Sequence, residues 1–173
     1  MSQNDSIPPA EARLGLRPPL HRVERRAIWF WLLRSLCLVI PVLAALAVPY
    51  LLWEAAQSVV GPILLAVTVL GASYAAVMPQ WRYAVHRWEI ADEAVYARSG
   101  WYVREWRVAP ISRIQTVDTS RGPIEQLLGL ATLAVATASS HGAIYIRGLD
   151  EATAAAAADQ LATITEQTPG DQT

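Results

Sequence analysis

Between Ser35 and Trp53, and again between Val59 and Met78, the chain runs without one charged side chain. No other feature constrains the fold as strongly, because about 20 apolar residues in helical form cross the hydrocarbon core of a bilayer. Two such runs side by side would dominate any soluble domain built from 173 residues. They are read as a membrane hairpin with spans at about 35–53 and 59–78, interrupted by Glu54, Gln57 and Ser58. Pro62 falls near the start of the second span, where a missing amide hydrogen costs least. Gly71, Ala72 and Ser73 offer a small-residue face for packing on the first span. The first run starts too late and lacks the cleavage site of a secretory signal, so the anchor is expected to be retained.

The flanks orient the hairpin. Arg22, Arg25, Arg26 and Arg34 precede the first span and Arg82 and Arg87 follow the second, whereas the loop between them offers only Glu54. The arginine bias places both termini in the cytoplasm. Trp29, Trp31, Arg34, Trp53, Trp81, Arg82, Tyr83, Arg87 and Trp88 are the candidate membrane-interface residues, since amphipathic rings and snorkelling arginines settle at the headgroup level.

The formal net charge of −1 speaks against nucleic acid held by bulk charge. It is the sum of a basic N-terminal stretch and an acidic tail after Arg147, with Asp150, Glu151, Asp159, Glu166 and Asp171. The lone Cys37 lies inside the first apolar run and is read as a small hydrophobe.

Residues 1–20 are polar and bear Pro8, Pro9, Pro18 and Pro19, a flexible cytoplasmic leader. The hairpin unit then covers 21–81, a β-rich domain 82–167, and a disordered tail 168–173. In the domain, period-two alternation and turn residues predict strands at Tyr83–Ile90, Ala94–Ser99, Trp101–Ala109, Ile114–Thr119, Ala131–Ala138 and Ala143–Arg147. Asp92-Glu93, Ser99-Gly100 and Ser140-His141-Gly142 serve as hairpin turns, which makes the sheet antiparallel. Gly122-Pro123 and Gly129 bracket a short crossover helix. Asp150 caps a C-terminal helix that runs to about Ile164 and packs through Leu149, Leu161 and Ile164. The expected core also includes Ile114, Val117, Ile124, Leu127, Leu130 and Leu133. The resulting fold class is a membrane α-helical hairpin plus a strongly curved antiparallel sheet or barrel, closed at one end by a helix.

Trp81-Arg82-Tyr83, Tyr96-Ala97-Arg98-Ser99-Gly100-Trp101, Pro110-Ile111-Ser112-Arg113-Ile114-Gln115-Thr116-Val117, Gly122-Pro123 and Leu128–Leu133 occur in that order. Taken together they resemble the YdbS-like family of bacterial PH-domain (pleckstrin-homology-like) membrane proteins, over about Arg22 to Leu161. The resemblance implies a PH-like domain on the cytoplasmic side of a bacterial inner (plasma) membrane. It brings no catalytic residues. Pro110, Arg113, Ile114, Gln115, Gly122, Pro123 and Gly129 are its motif positions, read as mainly structural; Arg113 is expected to pair with Asp118 or Glu125.

Chemistry finds little purchase. His21, His86 and His141 lie in the leader, the first strand and a turn, without metal-ligand spacing. Ser139, Ser140 and His141 are consecutive in a turn and cannot supply a nucleophile with its base across space. No glycine loop cradles phosphate. An enzyme, a metal or another cofactor is therefore not expected. Two classes of binding remain: a membrane-tethered module that assembles with a protein partner or itself, and an anionic-lipid sensor. The second would use the residues after the second span with Arg98, Arg104 and Arg107, which are interleaved with Glu89, Glu93 and Glu105.

Overall fold

The computed structural model describes residues 19–138 and 142–167. Most of the leader, the tail at 168–173, and Ser139, Ser140 and His141 lie outside the described residues.

The apolar runs form two long helices, α1 (Ala27–Leu52) and α2 (Glu54–Val85), both apolar and long enough to cross a membrane. Only Trp53 separates them, its extended backbone breaking the helix while its N–H donates to the Pro49 carbonyl at 3.1 Å. The helices pack closely where side chains are small: a Cβ on Gly71 would meet Val39 at 2.8 Å, and one on Gly61 would meet Tyr50 at 3.3 Å. Both exceed the expected spans. Their ends nearest the β domain stay helical because Ala27, Phe30, Trp31 and Met78 are buried in a core shared with that domain. This corrects the first predicted strand: Tyr83 belongs to α2, and the strand β2 starts only at Arg87 (Arg87–Ile90), after His86 ends the helix.

A second departure concerns the domain boundary. His21 and Arg22 form a short strand, β1, paired antiparallel with β2 through His21 to Trp88 and Arg22 to Arg87. The hairpin is thus inserted between the first two strands of one sheet. A division at 81/82 misses this, because so short a strand carries no periodic signal.

The sheet continues through β3 (Ala94–Ser99) and β4 (Glu105–Pro110) in the order β1-β2-β3-β4, all antiparallel. The strand expected from Trp101 starts at Glu105 instead. Gly100, at φ +112, turns the chain so tightly that a Cβ there would lie 1.9 Å from the Val103 carbonyl oxygen, and Trp101–Val103 forms the resulting tip. After Pro110 a single 3₁₀ turn (Ile111–Arg113) carries the chain into a second sheet, β5 (Ile114–Ser120), β6 (Leu130–Thr137) and β7 (Ile144–Asp150). Between β5 and β6 lies α3 (Pro123–Leu128), and α4 (Glu151–Gln167) ends the described chain.

The expected strongly curved, closed barrel is not formed. Two separate antiparallel sheets stand in its place, because among the described residues no strand pairs with the outer edge of β4 or of β7. Pro110, which has no amide hydrogen, terminates β4, and the Ile111 N–H is drawn to the Glu93 carbonyl at 3.0 Å, so the chain leaves one sheet and starts another.

Two cores result. The larger lies between the sheets and α4, with Val95, Ile111, Leu133, Val135, Ile146 and Leu161 buried; Ala154 and Ala157 let α4 approach closely. The smaller joins the helical hairpin to the domain through Val23, Ala27, Phe30, Trp31, Met78 and Leu130, with Ile124 and Leu128 against it. Ile114, Leu130 and Leu133 are buried as expected and Val117 packs on the larger core, whereas Leu127 is 80% exposed. The short α3 presents Ile124 and Leu128 inward, which turns Leu127 outward.

Candidate functional site

The unpaired edges of β4 and β7 leave a groove between the sheets. Its volume is about 580 Å³, in the range of ligand-binding clefts. Trp106, Val108, Pro110 and Ile144 give it apolar walls, and Arg107 and Arg113 supply charge. Arg107 spans the seam: its guanidinium donates to the Ala143 carbonyl at 3.2 Å and pairs with Glu105 at 3.1 Å. A second, smaller space of about 210 Å³, lined by His86, Ser99, Glu105, Tyr145 and Arg147 among others, continues the seam toward the foot of the hairpin.

That foot is basic. Arg34 on α1, Arg82 on α2 and Arg147 on β7 lie close enough for the charges of Arg34 and Arg147 to act on the Arg82 guanidinium. None of the three has a carboxylate partner among the described residues, whose ion pairs involve Arg26, Arg107 and Arg121. Arg82 Nε, Arg98 Nε and Trp88 Nε1 are buried donors without a hydrogen-bond acceptor. Such groups are uncommon, since each forfeits about 1–3 kcal/mol of hydration. Arg98 stacks over the Trp106 ring at 5.3 Å, and Arg147 over Tyr145 at 5.4 Å.

His86 sits at the centre of this region. Its Nδ1 lies 2.8 Å from the Arg82 carbonyl and its ring is 4.9 Å from that of Trp31. Burial pushes its pKa down to about 4; the carbonyl bond opposes that shift and the Arg82 and Arg147 charges add to it. The ring is neutral at pH 7, so Nδ1–H donates to the carbonyl. His21 stacks on Trp88 at 5.6 Å, within the sheet rather than in a leader.

The motif residues divide between framework and groove. Gly122 caps α3 and Pro123 opens it. The buried Glu125 carboxylate accepts the Gly122 N–H at 2.7 Å and the Thr132 hydroxyl at 2.6 Å, closing the crossover onto β6. Gly129 takes the left-handed conformation at φ +64 that ends the helix. Ile114 is core and Gln115 is exposed on β5. Pro110 and Arg113 line the groove, and Arg113 pairs with neither Asp118 nor Glu125, whose carboxylate is already engaged.

Of the interface candidates, Trp29, Trp53 and Trp81 are exposed and Arg34 projects outward. Trp31 differs: at 1% exposure it is the bulkiest fully buried side chain, facing His86 in the hairpin-to-domain core. Arg82, Tyr83, Arg87 and Trp88 are half-buried around the foot. Sequence reasoning missed Arg147, which lies on β7 and reaches the foot only through tertiary packing. It read Glu125 only as a partner for Arg113 and missed its capping role, for which the Gly122-x-x-Glu125 spacing was an available signal.

No solved structure matches the chain. Its sequence is 28% identical over 140 residues to the UPF0699 transmembrane protein YdbS of Bacillus subtilis (strain 168), covering 78% of this chain and 86% of that protein. The model of the bacterial PH-domain family matches residues 28–164, hairpin and β domain together. A membrane protein with a PH-like domain built around its own helical hairpin, the chain belongs to the bacterial PH-domain family.

Proposed function

We propose that the protein is a non-catalytic binding and assembly module at the cytoplasmic face of the bacterial plasma membrane, with both termini in the cytoplasm. Its site is the seam between β4 and β7, and its partner is an extended segment of another protein or of a second copy. The observation that carries the reading is the pair of free strand edges beside an apolar-walled groove of about 580 Å³. Unpaired edges offer backbone donors and acceptors to an added strand, while side-chain pockets supply selectivity. Arg107 and Arg113 favour a segment carrying carboxylates. Photo-crosslinkers at Val108 and Asp159 test this in cells. A discrete protein adduct at Val108, absent at Asp159 and lost on Arg113→Glu, is expected; equal labelling at both positions would refute the groove as the site.

Orientation follows from Arg22, Arg25, Arg26, Arg34, Arg82 and Arg87 against the loop's Glu54. A cytoplasm-active reporter fused after Thr173 should be active and a periplasm-active one silent.

A second reading, anionic-lipid sensing, draws on the Arg34, Arg82 and Arg147 cluster and its unpaired charge. Of the residues suggested by sequence it keeps Arg82 at the hairpin foot, adds Arg34 and Arg147, and leaves out Arg98, Arg104 and Arg107. Arg147→Gln weakening the preference for phosphatidylglycerol over phosphatidylcholine in native mass spectra would favour it.

A further inference from the structure

We infer that the β3–β4 tip, Trp101-Tyr102-Val103, is a third membrane contact that dips into the bilayer interface beside α2 and sets the tilt of the domain. This inference rests on the reading that α1 and α2 span a bilayer.

The tip is apolar yet outside both cores, with Tyr102 86% and Val103 65% exposed. Its position identifies what covers it. The Trp101 ring meets Tyr74 edge-on at a centroid distance of 5.8 Å. Tyr74 lies about 16 Å along α2 from the helix end at Val85, at about 1.5 Å rise per residue. The tip therefore meets α2 at a residue inside its uncharged run rather than at its end.

The register of the two helices gives the depth. Val39 faces Gly71 and Tyr50 faces Gly61, which brings Arg34 close to the level of Tyr74. Arg34 is the last charge before the uncharged run of α1. The tip thus stands where headgroups give way to hydrocarbon, on the face of α2 that Tyr74 shares with the exposed Leu70 and Val77. An aromatic pair with Arg104 exposed directly behind it suits that zone, rings inward and guanidinium toward phosphate. Gly100 allows the turn to be this tight, since any side chain there would meet the Val103 carbonyl.

The test uses the full chain in vesicles of phosphatidylethanolamine and phosphatidylglycerol, with Cys37→Ala and one spin-labelled cysteine at a time. Tyr102→Cys and Val103→Cys report on the tip, Leu65→Cys on the outward face of the span, and Asp159→Cys on the exposed surface of α4. Collision rates with oxygen and with a water-soluble nickel chelate are compared. Both tip positions should favour oxygen several-fold more than Asp159→Cys does, as Leu65→Cys should. Tip positions as open to chelate as Asp159→Cys, with Leu65→Cys still favouring oxygen, would overturn this inference alone. Chelate access at Leu65→Cys would overturn the spanning reading and this inference with it. Tip labels shielded from both reagents and broadened by spin–spin coupling would mean a contact between two copies, which also overturns it.

Discussion

Arg26, one residue before α1, pairs with Asp150, one residue before α4, and donates a further hydrogen bond to the Leu128 carbonyl at 3.1 Å. One side chain thereby ties the entrance of the hairpin to both the crossover helix and the last helix. Asp150 has a second duty: its Oδ2 accepts the Ala152 N–H at 3.2 Å, capping α4.

The two duties separate by substitution. Asp150→Asn keeps a capping oxygen and removes only a half-exposed ion pair, so it should cost below about 1 kcal/mol, and less in high salt. Asp150→Ala removes the cap as well and should cost about 1–2 kcal/mol. Thermal unfolding of the detergent-solubilised chain measures both; equal losses would mean that the cap contributes nothing.

Gly148 tests how closely the hairpin rides on the sheet. It adopts φ +80, and a Cβ there would meet the Ala27 Cβ at 2.7 Å. Gly148→Ala should cost about 2–4 kcal/mol, combining left-handed strain with overpacking. Gly142 has φ +72 with open space around it, so Gly142→Ala should show the backbone component alone, about 1 kcal/mol. Chemical unfolding of the pair of variants side by side gives the comparison.

Acid should loosen the hairpin foot. His86 has a folded pKa of about 4 against an unfolded value near 6.5, so the native state binds fewer protons between these values. Its neutral form costs nothing above pH 6.5; as pH falls from there toward 4, protonation of the unfolded chain removes up to about 3 kcal/mol. His86→Asn can keep the donor to the Arg82 carbonyl without titrating. It should lose clearly less stability than the native chain between pH 7 and pH 4.5, and parallel pH profiles would show that His86 is not the sensor.

The cores should respond unequally to truncation. Leu133→Ala is expected to cost about 2–5 kcal/mol and to make the region after Arg87 protease-sensitive in inverted vesicles. Leu127→Ala, at an exposed position, should change little. Leu130→Ala opens the core shared with Trp31 and Met78, so cleavage should also appear between β1 and α1 near Arg25.

How much of this was legible depends on how local each signal is. The uncharged runs, the glycine-proline start and glycine end of α3, the strand Ala94–Ser99 and the Asp150 cap could all be read directly, since helix periodicity, backbone permissiveness and capping act within a few residues. Tertiary structure decided the rest. His21 and Arg22 became a strand only because β2 lies 66 residues away in sequence but adjacent in space. Trp31 left the interface belt for the core because the domain packs on its helix face. Arg147 joined Arg34 and Arg82 through β7, and the barrel stayed open where Pro110 ended β4 and the next strand joined a second sheet. Pattern in a sequence reports the period of an element and which side of it is apolar; what that side meets is set by the free energy of packing distant segments together, which no local window contains.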